Sequence, residues 1–392
     1  MCIRDRKKRA LVAAFLVGSA SALAAQAPVT SLGLGYPVAP LDARSAAMGG
    51  TGLGLIGGTL SGRNPADMRG FARPTLGITY APEGVSVKSP GSSQTTGRSR
   101  LAIVQAVVPL RSWTVGLAFA SGLDQDWSVS LQDTLQTSFG DFPYDERREH
   151  DGGVSMVTLG VARQIGGFSV GIDGSLLTGS LRQTFFRRFD VAVEDPGRGV
   201  ESASGEARFS WSGFRARGGI ATAIGSRIRV SGQIGLSTDL KATRDSVGDA
   251  ATYEFDMPLE WSVGGSARLA ENLLASAAIG FADWSATAGD LDGGASSDVF
   301  WYGAGLEYLG FEVFGARLPV RAGFRRTDLP FYIPGEAQLS ETAGTFGIGL
   351  EVGGGRASFD LGLEIGTRGD LETSSVEEGF RRLSLSMALL QF

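Results

Sequence analysis

The sequence predicts an all-β protein, a transmembrane antiparallel β-barrel of about 14 strands with an N-terminal hatch or plug inside its lumen. Three observations support this prediction. Apolar and polar residues alternate with a period of two along most of the chain, predicted connections are alternately short and long, and a glycine-rich N-terminal stretch does not alternate at all.

Alternation of apolar with small or polar residues is the first observation. The two clearest runs place apolar side chains at every second position: Phe346, Ile348, Leu350 and Val352, then Phe359, Leu361, Leu363 and Ile365. A soluble β-sandwich alternates in the same way. However, many of the predicted strands reach about ten residues, the length that a tilted membrane strand needs, and their number is high.

Connection lengths are the second observation. Short connections are predicted near residues 109–112, 165–167, 225–227, 269–272, 310–316 and 353–356. Long ones are predicted near residues 87–98, 122–152, 182–205, 240–251, 284–298, 327–341 and 367–379. These connections join about 14 strands, and short periplasmic turns opposite long outer loops are typical of bacterial outer-membrane barrels.

Composition excludes several classes of protein. Glycine is abundant, with 58 residues against 14 prolines, but it follows no collagen period. The net charge of −5 leaves no basic excess for nucleic acid. Cys2 is the one cysteine and His150 the one histidine, so we expect no disulfide, no metal site and no cofactor. No nucleophile pattern accompanies His150 in its charged loop, and we therefore expect no enzyme.

The N-terminus resembles an export signal. Lys7, Lys8 and Arg9 precede an apolar stretch over residues 10–23, and Ala22-Leu23-Ala24 forms a small-x-small cleavage site. Residues 1–24 are therefore predicted to be a signal peptide, and whether residues 1–6 are native stays open. Export of a β-barrel predicts that the protein lies in the bacterial outer membrane.

Residues 25–72 form the third observation, because they are too apolar for a solvated linker and too rich in glycine for a strand. Residues 42–48 could form a helical turn that Gly49-Gly50 would end. A wide barrel offers this segment a place as a plug in the lumen. The predicted domains are thus a signal peptide (1–24), a hatch (25–72) and a barrel (73–392).

Two motifs in this segment carry a family resemblance. Arg44-Ser-Ala-Ala-Met-Gly-Gly-Thr-Gly, followed by Asn64-Pro65-Ala66, resembles the N-terminus of the long-chain fatty acid transporter family of outer-membrane barrels, the FadL/TodX type. The resemblance assigns the hatch to Arg44, Met48, Gly49, Gly50, Asn64, Pro65 and Ala66. Asp67 departs from that family's pattern, in which glycine or alanine is frequent.

The resemblance implies a function as well as a fold. It implies passive uptake of hydrophobic small molecules such as long-chain fatty acids, which enter a greasy pocket and leave sideways when the hatch shifts. PorV-like barrels of a secretion system share the same N-terminal pattern. They keep open an alternative, a scaffold or secretion barrel that binds protein partners.

Candidate ligand-binding residues combine aromatic groups with cations, as an apolar ligand with an acidic head requires. They are Phe185, Phe186, Arg187 and Arg188 in a long loop, and Arg321 and Arg325 on one predicted strand. For the loop, an aromatic girdle with arginines on lipopolysaccharide phosphate is the alternative that we favour. For Arg321 and Arg325, we favour pairing with Glu307, Glu351 or Glu364 inside the barrel.

Further predictions concern the bilayer and assembly. We expect interfacial girdles from Trp113, Trp127, Trp211, Trp261, Trp284 and Trp301, with ordinary core tryptophan as the alternative. Pro258 interrupts a run over residues 253–261 and predicts a bulge or an irregular strand. The C-terminal Phe392 resembles the signal read by the outer-membrane assembly machinery, and outer-membrane lipid and lipopolysaccharide are the other expected partners.

Overall fold

The structure is a computed structural model that describes residues 29–89, 92–190, 200–245, 251–291, 295–313, 315–374 and 376–390. The predicted signal peptide and Phe392 lie outside these ranges, so the leader and the assembly signal stay predictions. Among the residues within them, no helix is both long and apolar enough to cross a bilayer.

Strands make up most of the described chain. They are β1 (Tyr36–Pro37), β2 (Thr75–Ser89), β3 (Ser92–Leu110), β4 (Trp113–Asp124), β5 (Trp127–Thr137), β6 (Gly140–Ile165), β7 (Phe168–Phe189), β8 (Ala203–Ile224), β9 (Ile228–Ser237), β10 (Leu240–Asp245), β11 (Thr252–Phe255), β12 (Glu260–Ala270), β13 (Leu273–Ala282), β14 (Val299–Tyr308), β15 (Glu312–Val313), β16 (Ala316–Arg317), β17 (Val320–Asp328), β18 (Ser340–Val352), β19 (Ala357–Asp370) and β20 (Val376–Leu390).

Within the described ranges, helices are few and short. The α-helices are α1 (Ala43–Ala47) and α2 (Leu371–Ser374), and 3₁₀ turns span Val29–Ser31, Pro65–Gly70 and Trp284–Asp290.

Fourteen of these strands form one closed antiparallel barrel, which confirms the predicted fold class. Each pairs with the next in the order β2, β3, β4, β6, β7, β8, β9, β12, β13, β14, β17, β18, β19 and β20. The last strand then pairs with the first, from Thr75↔Leu390 to Lys88↔Glu377. Closure leaves no exposed sheet edge along this seam, as a spanning sheet requires.

The short connections all lie at one end of the barrel, at the positions that the sequence predicts. Tight turns follow β3, β6, β8, β12 and β18, and a small hairpin of β15 and β16 joins β14 to β17. At the opposite end, β5 and β11 join the outer parts of β6, β7, β8 and β10 in a sheet that extends beyond the wall. We call these the short-turn end and the long-loop end.

The outer face of the barrel is a continuous apolar band. Leu159 on β6 is 60% exposed and lies opposite Leu117 on β4, and Ile172 on β7 is 62% exposed and lies opposite Val161 on β6. Water would not tolerate so large an exposed apolar surface, whereas lipid does. The closed wall and this band identify the chain as an outer-membrane type of β-barrel.

One predicted strand is wrong. Residues 253–261 do not form a continuous run, because β11 ends at Phe255 and β12 begins at Glu260. Pro258 lies in the irregular stretch between them, where its missing N–H removes no ladder hydrogen bond. Tyr253, Phe255 and Met257 instead pack on apolar residues inside the barrel.

The girdle prediction is also wrong for three of the six tryptophans. Trp211 and Trp284 are buried in an apolar cluster inside the barrel, and Trp301 packs against that cluster. Trp113 is exposed at the short-turn end, as a girdle residue should be. Alternation does not reveal which face is outside when the lumen is itself apolar.

A charge placed in the outer band should destabilise the barrel. Leu176 on β7 is outward and exposed, and Leu176→Arg should lower the free energy of unfolding by about 2–4 kcal/mol if it lies near the bilayer midplane. Urea unfolding in lipid vesicles measures the change. Thr184→Arg, on the same strand beyond the wall, is the matched control and should have little effect. Equal stabilities for the Leu176 variant and wild type would contradict the assigned lipid face.

Candidate functional site

Residues 29–74 run through the lumen and contact the inner face of the wall; we call them the luminal segment. Asp42 caps α1 by accepting a hydrogen bond from the Ser45 amide at 2.8 Å, as N-cap residues do. The same carboxylate accepts from the Thr59 hydroxyl and from the Leu60 amide, both at 2.9 Å. The predicted helical turn is therefore present and is held to the later part of the segment at Thr59 and Leu60.

Arg44 ties the segment to the wall. Its Nε and Nη2 donate to the two carboxylate oxygens of Glu307 on β14 at 2.9 and 2.6 Å, a bidentate pair. Its remaining donors satisfy the carbonyls of Gly58 and Ile56 at 2.6 and 3.0 Å. One side chain thus fixes both the fold of the segment and its position in the barrel.

Met48, Gly49 and Gly50 follow α1 and lie directly against the wall. Gly49 has a φ of +73°, and a Cβ built on it would lie 2.4 Å from the carbonyl oxygen of Ala304. The facing Gly303 is equally constrained, since its Cβ would lie 1.9 Å from the Gly49 carbonyl oxygen. Only glycine fits on both sides of this contact.

Asn64, Pro65 and Ala66 dock the other end of the segment. The Asn64 Oδ1 accepts from the Ala66 amide at 2.9 Å and caps the 3₁₀ turn, with Pro65 at its first position. Its Nδ2 donates to the carbonyls of Ile220 and Gly232, on β8 and β9, at 3.3 and 3.1 Å. The motif therefore joins the segment to two strands of the wall.

Asp67, the departure from the family pattern, has a structural role that sequence reasoning did not assign. It accepts from the Gly54 amide at 2.9 Å and from the Ser231 hydroxyl on β9 at 2.8 Å. It also forms an ion pair with Arg229 at 3.1 Å. Its carboxylate thus adds a third fixed point between segment and wall.

Arg321 and Arg325 lie inside the barrel in ion pairs with acidic side chains. Arg321 donates to Glu307 at 2.7 Å, and Arg325 donates to Glu364 at 2.7 Å. These are two of the three carboxylates that the sequence analysis named, whereas Glu351 lies opposite Arg317 near the short-turn end. Their donors are therefore largely engaged by the protein itself.

These pairs belong to a larger ionic cluster on the inner face of strands β14 to β2. Its centre is Arg368, which is fully buried and contacts Glu83 at 2.9 Å, Glu378 at 3.1 Å and also Glu341. The luminal segment joins it through the Tyr36 hydroxyl, which donates to Glu341 at 2.9 Å. Buried charges require such partners, so this side of the lumen is held firmly.

The loop candidates do not form one pocket, because they lie on a single strand, β7, and alternate between its faces. Arg187 points inward, donating to Glu146 at 3.0 and 2.6 Å and lying over the Tyr144 ring. Phe186 is exposed on the outer face, as is Arg188, which lies 3.7 Å from Asp145. Phe185 packs near the Arg187 guanidinium.

The opposite side of the lumen is apolar, and sequence reasoning did not find it as one site. A cluster of buried side chains from the inner faces of several strands and from the loops fills it; we call it the apolar compartment. Its buried members are Leu34, Ile103, Ala120, Leu123, Val154, Met156, Leu177, Leu181, Phe209, Trp211, Leu240, Ala242, Trp284, Val299 and Phe331.

A small cavity lies between the compartment and the luminal segment. It measures about 30 Å³, room for one or two waters. Ile103, Ala120 and Met156 line it from the compartment, while Pro65 and Arg217 line it from the other side. The compartment therefore reaches down to the Asn64 docking point.

The wall splits beside this compartment. β3 and β4 pair only as far as Ile103↔Ala120, although β3 continues beyond to Ser92. Past that point, β4 pairs on this side with β1 of the luminal segment, through Pro37↔Leu123 and its neighbour. Two residues of the segment thus occupy the edge that β3 leaves, and we call this place the wall split.

Arg63 is a cation at the base of the compartment. Its guanidinium carbon lies 4.0 Å from the centre of the Trp301 ring, which packs on the apolar cluster. Within the described chain, its guanidinium has no carboxylate in ion-pair contact, and its Nε has no hydrogen-bond partner. Sequence reasoning did not select Arg63, and its position next to Asn64 was the one feature that could have pointed to it.

Known proteins resemble this chain mainly in structure. A family model described as BamG matches residues 226–391, and no curated protein matches. Solved structures with similar folds include the toluene transporter TbuX of Ralstonia pickettii, with a TM-score of 0.60 and 16% identity, covering 91% of this chain and 99% of that one.

Two more solved structures agree. The toluene transporter TodX of Pseudomonas putida gives a TM-score of 0.56 and 15% identity, covering 90% of this chain and 97% of that one. A FadL homologue of Pseudomonas aeruginosa gives a TM-score of 0.63 and 12% identity, covering 90% of this chain and 99% of that one.

Loss of the Arg44 contact should free the luminal segment. Arg44→Met removes the bidentate pair to Glu307 and two backbone contacts, and breaking a buried pair of this kind costs about 3 kcal/mol. We expect faster proteolysis within residues 29–74 and a higher ion conductance in planar bilayers. Arg208→Met, which breaks an exposed pair with Glu206, is the control. Unchanged proteolysis and conductance would show that Arg44 does not anchor the segment.

The closed wall of 14 strands, together with the likeness to these solved structures, shows that the chain has the fold of the FadL-like outer-membrane β-barrels.

Proposed function

We propose that this protein is a passive channel for hydrophobic small molecules across the outer membrane. Such molecules enter at the long-loop end, occupy the apolar compartment, and leave sideways into the bilayer through the wall split. Two of the similar solved structures are described as toluene transporters, which supports a hydrophobic cargo. No chemical step is needed, because movement follows the concentration gradient.

The observation that carries the proposal is the position of the wall split against the apolar compartment. Ile103 and Ala120, the last paired residues of β3 and β4, are both members of the compartment, and so is Leu123 on the freed edge. A hydrophobic molecule in the compartment is thus beside an interruption of the wall. Lateral exit spares the molecule any contact with water, which is the energetically costly step for apolar solutes.

The luminal segment acts as the hatch in this proposal. Arg44, Asn64 and Asp67 hold its middle to the wall, whereas β1 closes the split by a two-residue pairing and is tied to the ionic cluster through the Tyr36 hydroxyl. Met48, Gly49, Gly50, Pro65 and Ala66 belong to the fixed part. We therefore assign the moving part to the stretch around Tyr36–Pro37 and not to the whole of the predicted hatch.

A disulfide across the split tests this mechanism. Pro37 and Leu123 are paired across antiparallel strands, and their Cα atoms should be about 4.5–5.5 Å apart, within reach of a disulfide. Pro37→Cys with Leu123→Cys should reduce whole-cell uptake of radiolabelled toluene at least tenfold when oxidised. Reduction should restore uptake, because it frees β1.

The control for this experiment also uses β4, but links it to β3 instead of β1. Ala106→Cys with Leu117→Cys links β3 to β4 where they already pair, on the lipid side, and should leave uptake unchanged. Full uptake with the Pro37–Leu123 bridge completely formed would refute lateral exit through the split. No uptake by the wild-type protein would refute the transport function itself.

A finer proposal concerns the acidic head of the cargo. Arg63 at the base of the compartment stacks on Trp301 and, within the described chain, has no carboxylate partner. It is therefore placed to bind the carboxylate head group of a long-chain fatty acid whose tail lies in the compartment. Arg321 and Arg325 suit this role less well, because Glu307 and Glu364 already occupy them.

Calorimetry with two ligands tests this assignment. Arg63→Met should weaken the binding of hexadecanoate at least tenfold, since a charge-assisted hydrogen bond contributes about 1.5–3 kcal/mol. It should leave hexadecanol unchanged, because the alcohol carries no charge. Arg182→Met, in an exposed pair with Asp151, is the control. An equal loss for both ligands would refute the head-group role while leaving apolar transport in place.

A second candidate function is the partner-binding barrel. The sheet that rises above the wall favours it, because its tip carries Phe139 with 64% of its surface exposed. Such a barrel would show no uptake of toluene or hexadecanoate in the experiments above, and Phe139→Ser would weaken partner binding instead.

A further inference from the structure

Seven exposed arginines surround the short-turn end of the barrel. They follow one another around the whole circumference, in or beside the turns and strand ends: Arg73, Arg111, Arg163, Arg227, Arg268, Arg317 and Arg356. Among the residues that the structure describes, the acidic side chains between them at this end are Glu271, Glu312 and Glu351, and the last two lie opposite Arg317. The rim is thus strongly basic, although the whole chain carries a net charge of −5.

These arginines differ from those at the other end in their partners. At the long-loop end, exposed Arg147, Arg182, Arg188 and Arg208 each lie next to a carboxylate. At the short-turn end, none of the first six arginines named above forms an ion pair with any described carboxylate. Arg227 and Arg268 even lie side by side, with their backbones joined at 2.7 Å. Such neighbouring like charges favour an external anion.

Aromatic side chains mark the level of the bilayer surface at this end. Trp113 and Phe168 are exposed there, and the Arg163 guanidinium lies 5.0 Å from the centre of the Trp113 ring. Tyr308 and the exposed Phe311 meet edge to face, 5.1 Å apart. Aromatic belts lie at the lipid head groups, so the arginines are at the height of the phosphates.

We propose that this basic rim binds the phosphates of anionic phospholipids in the adjoining leaflet. A guanidinium donates two parallel hydrogen bonds to a phosphate. Each arginine near an anionic lipid surface strengthens binding to that surface about fivefold. The even distribution around the barrel fits a ring of lipids, whereas a protein partner would need the charges on one side. Arg73 lies at the end of the luminal segment, whereas the other six arginines belong to the wall and its turns, and the wall split takes no part in this surface.

Native mass spectrometry of lipid retention tests the proposal. Wild-type protein is equilibrated with equal amounts of phosphatidylglycerol and phosphatidylcholine that carry identical acyl chains. We expect at least fivefold enrichment of the anionic lipid. A variant with glutamine at Arg73, Arg111, Arg163, Arg227, Arg268 and Arg317 should retain both lipids equally. Enrichment that persists in this variant would overturn the proposal.

The matched control removes six charges from the opposite end. Glutamine at Lys88, Arg147, Arg182, Arg188, Arg208 and Lys241, all of them paired with acids, should leave the enrichment intact. An equal loss in this control would show that only the net charge matters, and would overturn the assignment to the rim.

A smaller variant protects the test against loss of folding. Arg111 adopts a φ of +53° in its turn, a conformation that glycine accepts without strain. Arg111→Gly with Arg227→Gln should therefore fold at least as well as wild type and still lose part of the enrichment. A fully folded double variant with wild-type enrichment would overturn the proposal.

Discussion

The constraint on which this structure depends is that backbone N–H and C=O groups at membrane depth must find partners within the protein. Closure of β20 on β2 satisfies it around the ring. The split between β3 and β4 departs from it, and there β1 supplies the missing partner through Tyr36↔Asp124 and Pro37↔Leu123. The interruption of the wall and the luminal segment are therefore parts of one solution.

The same need to compensate buried polar groups divides the lumen into a charged side and an apolar side. Charged groups face it on the arc from β14 to β2, where Arg368, Glu341 and Glu83 are buried together. Removing any one of them would leave the buried cluster with an unbalanced charge, which is costly. Buried ion pairs such as Arg217 with Asp173 also occur on the remaining arc, but the apolar compartment there has no such requirement, because hydrocarbon contacts are non-directional. A ligand can therefore replace side-chain contacts in the apolar compartment far more easily than on the ionic arc.

The barrel itself was largely predictable, because lipid on one face imposes strict alternation and several short turns contain glycine. The tight turn at residues 225–227 and the capped α1 are examples. The apolar compartment was not, since an inward Trp211 and an outward Trp113 look alike in the sequence. The anchor between Arg44 and Glu307 joins residues 263 positions apart, a distance that periodicity does not bridge. Nothing in the sequence marked Arg63 as a site residue except its position next to Asn64.

The glycines of the luminal segment show which part of it can move. Gly49 contacts the backbone of both β14 and β17, and a Cβ on Gly303, Gly305 or Gly323 would collide with it or with Met48. A contact between backbones, reinforced by the positive φ at Gly49, leaves no room for sliding or rotation. By contrast, one short pairing with β1 closes the edge of β4 at the apolar compartment, and β1 is anchored by a side chain, the Tyr36 hydroxyl on Glu341, and not by packed backbones. Motion is therefore cheapest at the wall split, where a hydrophobic molecule would need it.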